Sequence, residues 1–272
     1  MSQPVITPEI ADRLDRSEAE YMASDMLALR NGDDNPLGVE VRSFGDATAL
    51  TMTGLADWEF NRVLGLRDQS PTEIGSLLVW YRERRVDCHF DVVPMLCSTR
   101  VLGSLAERGF YQSGFHTALY GAPGVESHRP AEGVEVTEVG AGDMAVFAEL
   151  YMGYMDDLNI ARGPRQRARA NVESQHPLPG WRLYVATVDG TPAAFAALFV
   201  SDGVGSLAGA ATVPELRRRG CQTALLHRRT ADAAAAGCDL IASQATPGSV
   251  SHRNMERAGL RVAYTKAVWS RR

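Results

Sequence analysis

Residues 212–226 read TVPELRRRGCQTALL. Three arginines, Arg217, Arg218 and Arg219, run into Gly220 and then into an apolar stretch. Two chemistries fit such a cluster. Arginines spread over a face would lie along a polyanion. A loop that ends in glycine at the start of a helix would instead wrap a single phosphate group. The first amides of a helix have no intrahelical acceptor, and its dipole favours an anion there. The flanking pattern favours the second chemistry. Residues 205–213 read as a strand, Pro214 turns the chain, and a helix follows over about 220–236. Gly220 lets a ligand approach the backbone closely.

The rest of the chain must position this loop. Its 272 residues are 45% hydrophobic and 22% charged, enough for a large core and against disorder. The net charge of -5 points away from general nucleic-acid binding. The charge is uneven: from Pro214 onward there are 11 Arg/Lys against 4 Asp/Glu, and before it 17 against 29. That asymmetry fits either a local anion site or a solvated, arginine-rich surface. Lys266 is the single lysine beside 27 arginines, which reads as codon usage. Four cysteines without CxxC or metal-ligand spacing predict free thiols and no metal. The acidic, amphipathic first segment lacks the basic and apolar regions of a signal peptide, so the expected location is cytoplasmic. The least polar stretch, 192–213, is broken by Ser-Asp-Gly at 201–203 and reads as a hairpin, with no membrane partner expected.

Along the chain, periodicity predicts a helix at 9–30, two strands around a turn at 45–46, a helix at 71–85, a short strand near 88–94, a helix from Ser98 or Thr99 to Gly109 and a strand at 115–121. Residues 121–133 carry glycine and proline at both ends and no apolar period, and mark a linker. The pattern then restarts with a strand at 134–139, helices at 142–156 and about 164–175, three strands within 181–213, the helix after Gly220, a strand at 239–245, a helix at 251–258 and a last strand. The ends of the halves resemble each other. LAERGFYQSGFHTALY closes the first and MERAGLRVAYTKAVW the second. A repeat of about 150 residues implies tandem domains of one fold. The expected organisation is 1–122, a linker at 123–133, and 134–272.

The loop also resembles a family. Arg-x-x-Gly-x-Gly/Ala after a strand ending in Val-x-Pro-Glu is the pyrophosphate loop of the GNAT acyltransferase superfamily, and TVPELRRRGCQTALL is similar to it at Pro214, Glu215, Arg217, Arg219, Gly220 and Thr223–Leu226. SVSHRNMERAGL resembles the family's fourth helix, and the resemblance covers roughly 134–269. A P-loop would need Gly-Lys-Ser/Thr and a Rossmann turn three spaced glycines, and neither occurs. The resemblance implies an α/β fold: two tandem GNAT-like domains, each a mixed twisted sheet flanked by helices. It implies acetyl-CoA as co-substrate and acetyl transfer to an amine of a small molecule or peptide by direct attack in a ternary complex. On it, the amides of about 217–222 (Arg217, Arg218, Arg219, Gly220, Cys221, Gln222), with Thr223 behind them, hold the pyrophosphate. Thr212 and Val213 bond the pantetheine on a strand splayed from 239–245. Ser251 and Asn254 face the pantetheine or adenosine, or are simply an N-cap and a solvated asparagine. The first half has no such loop, since FNRVLGLRDQSP (60–71) lacks an anion-binding glycine pattern.

Departures from the family touch catalysis. Gln222 stands where Gly or Ala is usual, and Arg218 where Gly is common. Met255 aligns with the tyrosine that serves as general acid, and no carboxylate lies on 204–212. Tyr264 is the nearest tyrosine after the fourth helix and is the candidate acid; the alternative is an aromatic core position. Asp156 and Asp157, where the family contacts its acceptor, could hold a cationic amine or could be solvated. Cys221 at a helix N-terminus would have a lowered pKa, but it fills the loop's apolar position. The alternative function is a non-catalytic acyl-CoA-binding sensor. Neither the acceptor nor the oligomeric state is encoded in any motif.

Overall fold

The computed structural model describes residues 4–30, 35, 37–54, 60–124, 129–157, 172 and 178–271. Contacts divide the chain into two compact units. The N-terminal unit is Val5–Ala118 with Ala245–Pro247 and Val262–Arg272. The C-terminal unit is Leu119–Gln244 with Gly248–Arg261, joined by the first four residues.

In the N-terminal unit, α1 (Pro8–Ala28) starts at Thr7, whose hydroxyl accepts the Ile10 amide, with Pro8 in the first turn. Strands β1 (Val39–Phe44) and β2 (Ala47–Met52) form the expected hairpin. The short β3 (Arg62–Leu64) leads to α2 (Pro71–Arg84), β4 (His89–Val92), α3 (Thr99–Glu107) and β5 (Phe110–Gly121). The sequence pattern missed β3. Three residues, all buried, show no alternation to read. The sheet runs β1-β2-β3-β4-β12-β5, where β12 (Arg261–Arg271) is the last strand of the chain. Ala267, Val268 and Trp269 pair with Val92, Asp91 and Phe90. The strand period sorts neighbours to opposite faces. Ala49 and Val63 pack with Leu77 and Trp80 of α2 and Leu105 of α3, while Leu50 and Leu64 pack with Met22 and Met26 of α1.

Lys266, the single lysine, lies fully buried in this unit. Its ammonium donates to both Glu18 carboxylate oxygens at 2.6 Å and to Asp91 at 3.0 Å. Arg62 pairs with Asp91 at 2.9 Å, and Arg67 with Asp15 at 2.6 Å and Asp12 at 2.7 Å. The ion cluster ties β12 to α1 and β4, so codon usage does not explain the one lysine retained.

In the C-terminal unit the sheet runs β11-β9-β8-β7-β6: β6 is Val134–Glu138, β7 Trp181–Val188, β8 Thr191–Ser201, β9 Val204–Ser206 and β11 Leu240–Ala245. Among the described residues β10 (Ala210–Thr212) pairs with β8 alone. Helix α4 (Met144–Asp157) sets Phe147, Tyr151 and Tyr154 around Phe195 of β8. Helices α5 (Cys221–Ala235) and α6 (Val250–Arg257) complete it. The helix expected at 164–175 lies outside the described residues, Val172 apart. Among the described residues no helix is long and apolar enough to cross a membrane.

Candidate functional site

The stretch that reads as one strand, 205–213, is two strands with a bulge between them. Phe199 pairs with Ser206 and Ala196 with Ala210, so Leu207–Gly209 face only Ala197 and Leu198. Three residues opposite two make a bulge, which bends the strand. Before it, β9 lies parallel to β11, with Val204, Gly205 and Ser206 opposite Leu240, Ile241 and Ala242. The Leu207 amide still reaches the Ala242 carbonyl at 2.8 Å. Beyond it, β10 follows β8 and leaves β11, and among the described residues no strand pairs with its outer edge.

Arg229 holds the bulge. It is 1% exposed, on α5, and donates to the carbonyls of Ala197 and Ala208 at 2.9 Å each and of Leu225 at 3.2 Å. Burial brings its pKa down to about 10. A buried cation is costly unless its donors are met; here carbonyls around the bulge meet them. The sequence reading missed this residue, because the second arginine of an His-Arg-Arg run looks like helix surface. The available signal was its position three to four residues from Leu225, Leu226 and Ala233 on the buried face.

The open edge fixes which amides are available. In an antiparallel pair, alternate residues turn their backbone groups towards the partner. Val213 donates to the Ala193 carbonyl at 2.8 Å and accepts from Leu216 at 3.0 Å, so both its backbone groups serve the fold. Thr212, one residue earlier, therefore turns its amide to the open edge, and its carbonyl accepts from Arg217 Nε at 3.3 Å. Of the two residues named for the pantetheine, Thr212 has the free direction.

The loop then wraps towards α5. Arg218 has φ 64° and Gly220 φ 93°. Such left-handed residues on a short loop turn backbone amides to one side, a concavity that suits an anion. At Arg218 a side chain endures a backbone that favours glycine. Gly220 is the N-cap of α5 and supplies no side-chain cap, so the amides of Cys221, Gln222 and Thr223 head the helix without one. A Cβ on Gly220 would lie 3.0 Å from the Ala131 methyl. Arg219 makes an exposed 3.0 Å pair with Asp189. Cys221 is 2% exposed, and burial pushes its thiol up, which outweighs the backbone amide and Arg219. That corrects the expectation of a lowered pKa.

Gln222, Ser251 and Asn254 come together. Gln222 Nε2 donates to Ser251 Oγ at 3.3 Å, and Asn254 donates to Gln222 Oε1. The N-cap of α6 is Ser249, which accepts the His252 amide at 3.1 Å, so Ser251 is not that cap. Gln222, a departure from the family pattern, thus links the starts of the two helices. Met255 is buried at 6% exposure.

On the other side of β10, a cleft of about 620 Å³ lies between α4, β8 and β10. Val146, Leu150, Tyr154 and Phe195 give it apolar walls, and Thr212 and Val213 reach it from β10. Asp157 and Glu149, two turns apart on α4, line it, and Glu215 joins from the loop. Asp156 does not line it. Glu149 was missed because it sits inside an apolar run; its spacing of eight from Asp157 was the available signal.

Tyr264 belongs to the N-terminal unit. It is 6% exposed, and among the described residues its hydroxyl has no partner. Burial pushes its pKa well up, and Asp15 and Glu18 add to that. Phe115, its counterpart in the sequence repeat, is 60% exposed.

The segment of the first half that precedes α2 is closed by its own side chains. Ser70 Oγ accepts the Glu73 amide at 3.2 Å, and the Glu73 carboxylate accepts the Ser70 amide at 2.7 Å. Gln69 accepts the Arg67 amide at 2.6 Å. Among the described residues no group of three or more His, Cys, Asp or Glu is placed to hold a metal.

Residues 130–243 match the family model described as the acetyltransferase (GNAT) domain. No curated protein matches the chain. Solved structures share the fold. A GCN5-related N-acetyltransferase from Kribbella flavida is 17% identical, with TM-score 0.62 over 93% of this chain and 95% of its own. One from Sphaerobacter thermophilus is 16% identical, with TM-score 0.60 over 94% and 91%. A tandem GNAT protein from the clavulanic acid biosynthesis pathway is 14% identical, with TM-score 0.58 over 99% and 98%.

Proposed function

We propose that the C-terminal half of the chain, where residues 130–243 match the acetyltransferase (GNAT) domain model, binds acetyl-CoA and transfers the acetyl group to an amine. One observation carries this reading. The uncapped N-terminus of α5 at Gly220 follows the open edge of β10 after only a short loop. An anion cradle and a free strand edge together suit a ligand that has a pyrophosphate and an extended amide chain. Arg217–Gln222 would hold the pyrophosphate through amides, with the arginines adding charge. The Thr212 amide would bond the pantetheine, and Gln222, Ser251 and Asn254 would flank it.

The amine would enter by the α4 cleft. Asp157 and Glu149 would attract it as a cation, and its uncharged form would attack the thioester carbonyl. The carbon–nitrogen bond forms, the carbon–sulfur bond breaks, and CoA leaves as the thiol with a proton that the amine gives up. Backbone amides at the open edge would meet the developing oxyanion. We assign no acid role to Tyr264, whose hydroxyl is enclosed in the other unit. The first half would be a degenerate GNAT-like domain without a cofactor site.

A non-catalytic acyl-CoA sensor is the second reading. Met255, buried where the family has its tyrosine, favours it. A steady-state assay with acetyl-CoA and a panel of amines separates the two. Thiol release that needs both protein and amine supports transfer. Tight CoA binding without turnover on any amine supports the sensor.

A further inference from the structure

A second cavity, of about 540 Å³, lies wholly in the N-terminal unit. Its walls carry Arg82 and Arg85 from the end of α2, Arg108 after α3 and Arg271 from the end of β12, against a single carboxylate, Asp87. Several arginines of this unit are ion-paired, Arg16 with Asp12, Arg84 with Glu40 and Arg100 with Asp68. Among the described residues the side chains of Arg82, Arg85 and Arg271 have no ion pair or hydrogen bond. Arg108 is held by the Ser104 carbonyl and hydroxyl at 2.8 and 2.6 Å, so one guanidinium is fixed in advance. Helix dipoles explain a cation at the end of α2 or of α3. They do not explain Arg271, which a strand from the far end of the chain brings to the same groove.

The groove is also kept open. Gly75 sits inside α2 on this face, and a Cβ there would meet nothing within 4 Å. A glycine in a helix interior costs about 1 kcal/mol relative to alanine, and here the missing side chain leaves room above the arginines. Leu78, Val86 and Phe110 give the floor an apolar part. The size falls in the range of small-ligand sites. Planar guanidinium forks suit phosphate oxygens, which they can meet in pairs.

We propose that this groove binds a small phosphorylated molecule: its phosphates lie on Arg82, Arg85, Arg108 and Arg271, and an apolar or aromatic portion lies on Leu78, Val86 and Phe110. The site does not depend on the acetyl-CoA reading.

The test uses the full chain with Gly220→Asp, which removes the α5 loop as a competing anion site. Inorganic pyrophosphate, ADP and citrate are titrated by calorimetry. The expected result is one saturable site with ADP tighter than pyrophosphate and pyrophosphate tighter than citrate. Adding Arg85→Glu with Arg271→Glu should weaken ADP by about tenfold or more. Gly75→Trp, which leaves every charge and fills the space, should weaken ADP as well and guards against a charge variant that fails to fold. No saturable heat at millimolar pyrophosphate or ADP, equal binding of citrate, or indifference to both sets of substitutions overturns the proposal.

Discussion

Ser70 and Glu73 close the N-terminus of α2 on each other: each side chain accepts the other's backbone amide, at 3.2 and 2.7 Å. At the head of α5 stands Gly220, which has no side chain to do this. The two helices follow strands in a similar order, yet one leaves its first amides without a side-chain cap and the other has satisfied its own. A carboxylate stands where an anion would have to sit.

One CoA should therefore bind per chain. Calorimetric titration should give a stoichiometry of one, and two equivalent sites would contradict the contrast between the helix ends. Ser70→Ala should cost about 1 kcal/mol of stability through the lost cap and leave CoA affinity unchanged.

Arg229→Met should free the bulge. The carbonyls of Ala197 and Ala208 lose their donor, and each buried polar group so stranded costs about 1–3 kcal/mol. The expected outcome is a loss of stability of about 2–4 kcal/mol in urea and weaker CoA binding, since β10 would be free to rejoin β11. Unchanged CoA affinity in a folded Arg229→Met chain would show that the bulge does not set the open edge.

Asp157→Asn and Glu149→Gln should raise KM for the amine by roughly tenfold each and leave the KM for acetyl-CoA unchanged. A hydrogen bond to a charged group is worth about 1.5–3 kcal/mol. A fall in kcat alone would instead point to proton transfer. Asp156→Asn, outside the cleft, is the control.

Stability should carry the signature of Asp15. Burial pushes its carboxyl up to about 6 even though Arg67 pulls it down. The folded chain then holds a proton that the unfolded chain has released. This contribution is complete below about pH 4, where an unfolded aspartate is also protonated, and is lost as pH rises to about 6. Asp91 works the other way. In spite of its burial, Lys266 and Arg62 hold it low, so its contribution is lost only in stronger acid. Urea unfolding of wild type and Asp15→Asn should diverge in this window by on the order of 2 kcal/mol. A constant difference from pH 4 to pH 7 would rule the assignment out.

The sequence carried most elements and the loop, because periodicity, caps and the Pro214–Gly220 punctuation are local. It also revealed the likeness between the strands at 110–121 and 261–271. It could not reveal that these two strands lie side by side in one sheet, since pairing over such a separation leaves no local mark. The bulge at 207–209 was illegible for a related reason: apolar residues continue through it. Arg229, Glu149 and the partners of Lys266 were missed because composition treats charged residues as surface. Only the fold says which charges are enclosed.

The most direct test of the central claim is CoA affinity in Gly220→Asp. The added side chain meets the Ala131 methyl at 3.0 Å and puts a negative charge against the proposed pyrophosphate site. The backbone there, at φ 93°, is one that aspartate tolerates better than most residues. Circular dichroism should show a folded chain, and titration should show the wild-type CoA site lost, any residual heat disappearing when Arg85→Glu and Arg271→Glu are added. Arg218→Ala is the comparison. It removes one exposed charge worth no more than about 1 kcal/mol and should weaken CoA by roughly fivefold or less. If folded Gly220→Asp binds CoA as wild type does, the pyrophosphate does not sit on this loop and the account fails at its centre.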